Sequence, residues 1–189
     1  YDPPDGGRRQ WKVQLDGYDI ATPKENRLWA PSKALALAVA AEWQSQSDKV
    51  IPVTMPLMTL CTTTIDNVPL TRHTVVGNLL QFFQTDTICF RVSALAYPEL
   101  YALQEKVYGS LMHWFMENVK CGIVKGPPGV IHPPTQPEVT LNVLRWHLHC
   151  MDDWQLAGLD AMTAISKSLI VSLATMMGDL PPDEALEIS

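Results

Sequence analysis

The side chains best suited to chemistry in this sequence are its histidines and an adjacent pair of aspartates. His147 and His149 are two residues apart, so a helix would point them to different faces and could not pair them on one metal ion. Asp152 and Asp153 could form a carboxylate pair for acid–base work, but they precede a helical pattern, where Asp is a preferred N-cap residue. The spacing therefore predicts a helix cap rather than a catalytic pair.

The other histidines and the four cysteines lack the spacing of a metal site. Three isolated histidines are interpreted as surface or packed side chains: His73, His113 and His132. The cysteines lie about thirty residues apart and form no CxxC pair: Cys61, Cys89, Cys121 and Cys150. Because free Cys usually behaves as a small buried hydrophobe, we expect reduced thiols in a reducing compartment, with two disulfides as the open alternative.

Nucleotide-binding and hydrolase motifs are missing from the sequence, which contains no P-loop, no GxGxxG and no GxSxG. The stretch Gly126-Pro127-Pro128-Gly129 contains glycines, but proline removes the N–H donors that a phosphate cradle needs. We therefore expect a protein that is not an enzyme, with no catalytic residue, no cofactor and no metal.

Composition limits the remaining function classes. The chain has 189 residues, of which 47% are hydrophobic, and a formal net charge of -6. This length allows one large domain or two small ones, and the acidic balance argues against a nucleic-acid-binding protein. The longest apolar stretch near the C-terminus, Ser168 to Met177, is too short to span a membrane. The first residue is Tyr, and no presequence is visible in the chain.

Strand patterns dominate the first thirty residues. Gln10 to Leu15 alternates apolar and polar side chains, and Asp16-Gly17 is a two-residue hairpin signal. Tyr18 to Ala21 is expected to be the return strand and Arg27 to Ala30 a third strand. Farther along, Thr87 to Val92 contains β-branched residues and is predicted to return to the sheet.

Helical patterns follow the strands. Ser32 is a good N-cap for a helix through Gln46, in which Leu35, Val39 and Trp43 share one face. A second helix is expected near Pro56, where the missing N–H is not needed, and Thr71 can cap a third.

The second half of the chain is predicted to be helical. Pro98 opens a long helix, and a proline-rich loop from Lys125 to Pro137 follows it, with Thr135 or Pro137 starting the next helix. The last long helix is expected from Trp154 to Met177, with Gly178 as its stop. Together these patterns predict an α+β protein, with a β-rich N-terminal domain with short helices at residues 1–95 and an α-helical C-terminal domain at residues 96–189.

A series of short motifs resembles the family of mitochondrial ATP synthase assembly chaperones that hold the free α subunit. The N-terminal motifs are Val13-Gln14-Leu15-Asp16-Gly17, Ala21-Thr22-Pro23, Ala41-Glu42-Trp43, Thr54-Met55-Pro56-Leu57, Ile65-Asp66-Asn67 and Thr85 through Arg91. In the helical half, the matches are Asp153-Trp154-Gln155-Leu156-Ala157-Gly158 and Ser166-Lys167-Ser168-Leu169. The match is weak between Ala94 and Cys150, and Tyr108 stands where the family usually has Trp.

The resemblance implies a mitochondrial matrix protein that binds the newly imported α subunit of ATP synthase, prevents its aggregation and promotes assembly of the catalytic head. No cofactor is implied. The alternative is a chaperone-derived permanent structural subunit of a larger mitochondrial complex such as ATP synthase. Two observations keep this alternative open: the middle of the chain diverges from the family, and the family's acidic C-terminal segment is not seen before Ser189.

Five residues in the matching motifs are candidates for structural or partner-binding roles. We expect Trp43 to be a buried anchor, because it completes the apolar face of its helix. Met55 and Leu57 are expected at a junction, Thr54 to Asn67, that touches both halves of the chain. Asp66 and Trp154 are the other two candidates, because each lies in one of the matching motifs.

Overall fold

The computed structural model of the protein describes residues 10–189. Four short strands come first: β1 Trp11–Lys12, β2 Gln14–Leu15, β3 Tyr18–Asp19 and β4 Trp29–Ala30. The helices are α1 Lys33–Gln44, α2 Pro56–Asp66, α3 Val68–Gln84, α4 Pro98–Val119, α5 Glu138–Cys150, α6 Asp153–Ser166, α7 Leu169–Met177 and α8 Pro182–Ile188. Short 3₁₀ turns occupy Pro52–Thr54 and Thr87–Cys89.

The strands form two antiparallel pairs, β1 with β4 and β2 with β3. In the second pair, Leu15 lies opposite Tyr18, and the two residues between them form the hairpin turn. Asp16 and Gly17 have φ values of 52° and 85°, and a two-residue turn with positive φ at both positions matches the twist of the flanking strands. The hairpin predicted from Asp16-Gly17 is confirmed.

The protein is of the α+β type, with helices far outweighing strands. The expected β-rich N-terminal domain is not confirmed, because each strand has two residues and α1, α2 and α3 occupy most of the same part of the chain. The strand predicted for Thr87 to Val92 is wrong. The Asp86 side chain accepts a hydrogen bond from the Ile88 N–H and caps a 3₁₀ turn at Thr87–Cys89 instead.

Local cap signals place the first helices. Ser32 Oγ accepts a hydrogen bond of 3.1 Å from the Leu35 N–H, so the predicted N-cap of α1 is confirmed, although α1 ends at Gln44. The predicted start of α2 at Pro56 is confirmed as well. The prediction that Thr71 caps α3 is wrong, because α3 already begins at Val68. The Thr71 hydroxyl instead donates to the carbonyl of Asn67, one turn earlier in the chain.

The helical half differs from its prediction at one point. The predicted start of α4 at Pro98 and the C-cap at Gly178, with φ 84°, are both confirmed. The single helix expected from Trp154 to Met177 is two helices, α6 and α7. Lys167 has φ 56°, and the Ser168 hydroxyl accepts from the Val171 N–H at 3.1 Å, which starts a new helix.

Contacts between Cα atoms divide the chain into two compact units. Of the described residues, unit 1 contains 10–72 and 153–157, and unit 2 contains 73–152 and 158–189. The boundary at residue 95 remains a prediction. The core of unit 1 is a cluster from the strands, α1 and α2: Val13, Leu28, Ala30, Ala36, Val39 and Cys61. Unit 2 contains a stacked pair of buried rings, Phe83 and Phe115, with centroids 5.3 Å apart.

A buried carboxylate lies at the centre of unit 2. Asp86 is fully buried, and its two oxygens accept from the N–H of Ile88 at 3.0 Å and the N–H of Ile170 at 3.1 Å. The carboxylate therefore joins the 3₁₀ turn after α3 to the first turn of α7, where free N–H groups favour a negative charge. Burial nevertheless dominates and raises the pKa of Asp86 to about 6, against the lowering effect of its hydrogen bonds from residues 168–170 and 88.

This raised pKa predicts an unusual pH dependence of stability. The folded protein holds the Asp86 proton more tightly than the unfolded chain, so the contribution of Asp86 is greatest at low pH and falls as pH rises from about 4 to about 6. We expect the free energy of unfolding of the natural protein, minus that of Asp86→Asn, to decrease across this window. Urea unfolding at pH 4.5, 5.5 and 7 measures it, and a difference that is constant or rises with pH would contradict the prediction.

Candidate partner-binding site

The five candidate residues all lie in unit 1, around the core formed by the strands, α1 and α2. Trp43 is half-buried on α1 and packs against this core. Its Nε1 atom is buried and has no hydrogen-bond partner among residues 10–189. A buried N–H without a partner costs free energy, so the apolar contacts of the ring must outweigh that cost. The anchor role of Trp43 remains a prediction.

Met55 and Leu57 flank the beginning of α2. Met55 is 2% exposed, and Leu57 is half-buried against the core of unit 1. Leu57 thus helps to hold α2 against the core of unit 1. The expected contact of Met55 and Leu57 with both halves of the chain remains a prediction.

Glu42, the residue before Trp43, caps α2 although it lies on α1. Glu42 Oε1 accepts from the Leu57 N–H at 2.7 Å, and its Oε2 accepts from the Met58 N–H at 2.8 Å. These are free N–H groups of the first helical turn, where a carboxylate is also favoured by the helix dipole. The sequence offered one signal for this contact: Pro56 opens a helix whose N-cap, Met55, has no side chain able to cap it.

Asp66, at the end of α2, is the buried centre of a hydrogen-bond network. Its Oδ1 accepts from Thr22 Oγ1 at 2.6 Å and Asn26 Nδ2 at 2.9 Å, and its Oδ2 accepts from the Lys24 N–H at 3.1 Å. Lys24 Nζ also donates to the Asp66 carbonyl. Burial raises the pKa of this carboxyl, but the hydrogen bonds from Asn26, Thr22 and Lys24 outweigh it and lower the pKa. The network fastens the loop after β3 to α2.

Trp154 lies in the first turn of α6. Its ring meets the ring of Trp29 edge to face, with centroids 5.0 Å apart. The preceding Asp153 pairs with Arg72 at 2.5 Å, and both belong to unit 1. Asp153 is thus the first residue of α6 and an ion-pair partner of Arg72, while the cap predicted at Asp152 or Asp153 remains a prediction.

In unit 2, a buried arginine organises the segment after the 3₁₀ turn. Arg91 Nε donates to Glu105 at 2.6 Å, and the guanidinium lies 5.2 Å from the ring centre of Tyr108. Lys125 binds the same carboxylate at 2.7 Å. Hydrogen bonds from Lys125 and then Arg91 lower the pKa of Glu105. Tyr108 therefore provides the ring face for a buried cation.

Burial makes two of the described thiols unreactive. Burial, with a smaller effect of Glu42, raises the pKa of Cys61 to about 11, and burial raises that of Cys89 to about 12. Both thiols stay protonated near neutral pH and are poor nucleophiles. Their prediction as small buried hydrophobes is confirmed, whereas Cys121 is half-buried and Cys150 is exposed. Among residues 10–189, no group of three or more His, Cys, Asp or Glu is placed to hold a metal ion.

Apolar side chains remain on the surface of both units. Unit 1 exposes Leu70 and Val53, and unit 2 exposes Leu95 and Ile131 to a still greater extent. Sequence analysis did not select any of these four, because an apolar residue type carries by itself no signal of exposure. Within the described part of the chain, no helix is both long and apolar enough to cross a membrane.

Comparison with known proteins gives a consistent set of similarities. Residues 3–116 match the family model described as ATP12 chaperone protein. The mitochondrial protein atp12 of Schizosaccharomyces pombe is 27% identical over 187 residues, an alignment that covers 94% of this chain and 64% of that relative. The chain thus spans less than two thirds of that relative.

Solved structures agree with the family match. The crystal structure of Atp12 from Paracoccus denitrificans superposes with a TM-score of 0.84 at 27% identity, covering 94% of this chain and 74% of that one. A candidate chaperone from Agrobacterium tumefaciens superposes with a TM-score of 0.81 at 31% identity, covering 92% of this chain and 64% of that one.

The first prediction concerns the packing of Trp43. Trp43→Arg places a charge against the core of unit 1 and removes a large ring, so we expect a loss of about 3 kcal/mol in the free energy of unfolding. Trp43→Phe keeps an aromatic ring and removes the unpartnered N–H, so its loss should be smaller. Denaturant unfolding measures both, and an unchanged stability of Trp43→Arg would contradict the anchor role.

The second prediction concerns the Glu42 cap. Glu42→Ala leaves the Leu57 and Met58 N–H groups without their acceptors, which should cost about 1–2 kcal/mol, as for loss of a helix cap. Glu42→Gln retains one acceptor oxygen and should lose less. Hydrogen exchange at these two amides gives a local reading. Equal protection in the natural protein and Glu42→Ala would show that the contact contributes nothing.

Proposed function

The chain belongs to the ATP12 chaperone family, and we propose that it binds the free α subunit of ATP synthase and promotes assembly of the catalytic head. The observation that carries this proposal is the family match over residues 3–116, supported by two solved relatives with TM-scores above 0.8. No observation specifically favours the alternative of a permanent structural subunit.

The proposed mechanism is the covering of one apolar surface by another. An unassembled α subunit exposes the surface that it will later bury against its neighbours, and such a surface aggregates when left in water. The chaperone covers it, and a β subunit that buries more area displaces the chaperone by mass action. Nucleotide binding and hydrolysis have no part in these steps.

We propose that the five candidates in unit 1 support this function by fixing the shape of the unit. Met55 and Asp66 are buried, and the other three are half-buried within the same unit: Trp43, Leu57 and Trp154. Their proposed role is therefore to position surface residues, not to touch the partner with their whole side chains. The mitochondrial matrix is the proposed location, which agrees with the mitochondrial name of the Schizosaccharomyces pombe relative.

The proposal predicts nucleotide-independent protection of the α subunit. The full-length protein, at a roughly equimolar ratio, should suppress aggregation of isolated α subunit diluted from denaturant, as followed by light scattering. Raising salt from low to physiological concentration should change the protection little, because salt screens exposed charge pairs and not apolar contacts.

Two controls make this assay decisive. The isolated β subunit tests whether protection is specific to α, and serum albumin at equal mass tests for crowding. Aggregation that continues at several-fold excess of the full-length protein would overturn the proposed function. Co-purification with an intact complex, without protection of free α, would support the permanent-subunit alternative instead.

A further inference from the structure

A groove lies between α4 and α8, two helices that both belong to unit 2. It has a volume of about 570 Å³, which is within the range of clefts that bind ligands in proteins. Four apolar side chains from the two helices and the turn before α8 line it: Val107, Leu111, Leu180 and Ile188. We call this cavity the α4–α8 groove.

The apolar surface of the groove continues along α4 toward the beginning of that helix. Leu103 and Leu100 precede Val107 by four and seven residues, so the three side chains share one face of α4. Leu103 is 56% exposed and Leu100 is 45% exposed. At 1.5 Å per residue, this face adds about 10 Å of apolar surface to the groove. A partner that covers the groove and this face must therefore be elongated, on the order of three helical turns.

The two sides of the groove carry opposite charges. Glu184 and Glu187, three residues apart on α8, line one side and are exposed, and Lys106 lines the α4 side and is also exposed. Within residues 10–189, none of these three side chains forms an ion pair. Charges that have no partner beside an apolar surface favour opposite charges at matching positions of whatever binds there.

This charge pattern is complementary to an apolar stripe between two charged edges. Basic side chains on one edge would pair with Glu184 and Glu187, and an acidic side chain on the other edge would pair with Lys106. An amphipathic α-helix provides this arrangement, because residues at steps of three and four form the stripe and the flanking positions form its edges. Two carboxylates face one ammonium group, so the basic edge contributes more to recognition.

The groove is held in shape by the turn that leads into α8. Trp114, seven residues after Val107 on the same face of α4, donates from Nε1 to Asp179 Oδ2 at 3.0 Å. The next residue, Leu180, is buried and donates its N–H to the Ala174 carbonyl at 3.2 Å. A surface that is ordered in advance loses little conformational entropy on binding.

We propose that the α4–α8 groove binds an amphipathic helical segment of an unassembled partner protein, with Lys or Arg along the edge that faces α8. The identity of that partner, the free α subunit, rests on the proposed function. The inference adds the location of the contact and the charge pattern of the bound segment. Apolar contact supplies most of the affinity and the charged sides supply selectivity, so salt weakens the selectivity more than the affinity.

Two designed helical peptides with the same Leu stripe test the charge pattern. The first peptide has Lys along one edge and Glu along the other, and the second has Glu along both edges. We expect the full-length protein to bind the first at least about fivefold more tightly, because two attractions replace two repulsions. Raising the salt concentration to about 0.5 M should reduce this ratio. Equal affinities, tighter binding of the second peptide or no binding of either would overturn the proposal.

Charge reversal on α8 tests the location. Glu187→Lys should reduce the preference for the first peptide, and Glu184→Lys with Glu187→Lys should reverse it. The matched control is Glu138→Lys, which changes the charge equally at an exposed position of α5 in unit 2, outside the groove. All three side chains are exposed, so we expect normal folding, as circular dichroism checks. A preference that survives the double variant, or that Glu138→Lys removes equally, would overturn the proposal.

Measurements with the α subunit separate the groove from the general function. Free α subunit should bind the double variant on α8 at least about fivefold more weakly than it binds Glu138→Lys. Unchanged binding and protection of α by the double variant would overturn the groove, while the chaperone function stands. Selective peptide binding by a natural protein that fails to protect α would support the groove and overturn the proposed function. Dimerisation that the double variant alone abolishes would identify a second copy as the occupant and contradict the proposal.

Discussion

Each unit of the protein depends on one buried carboxylate that fastens a loop to a helix. In unit 2, Asp86 joins the turn at Ile88 to the beginning of α7 at Ile170, although Ile170 lies 84 residues beyond Asp86 in the sequence. In unit 1, Asp66 binds Thr22 and the neighbouring loop from the end of α2. Buried carboxylates of this kind are stable only with several donors, so each enforces one arrangement of the chain around it.

The rigid interior of unit 2 explains how the protein can keep apolar side chains in solvent. Asp86 fixes the turn that leads to Arg91, whose guanidinium is held by Glu105 and packs over Tyr108. The segment after Arg91 is therefore positioned by bonds beneath it and does not need to bury its own side chains. Leu95, in this segment, is almost fully exposed.

Features determined by neighbouring residues could be predicted from the sequence. The Asp16-Gly17 turn and the Ser32 cap need nothing beyond their own few residues. The turn at Asp86 could not be predicted, because the β-branched residues after it favour a strand and the deciding partners lie on α7. In the candidate site, Trp43 packs against the core of unit 1, and its anchor role remains a prediction. Pro56 indicated the start of α2, but the sequence could not identify Glu42 as its cap, since the two partners lie 15 and 16 residues away.

Hydrogen–deuterium exchange of the full-length protein, alone and with free α subunit, tests the central claim most directly. The account predicts slower exchange on binding at backbone amides beside exposed apolar side chains, such as those of residues 93–104 and 127–131. The Ile88 and Ile170 amides, already bonded to Asp86, should be slow in both states. No change in exchange with α subunit present would contradict the account.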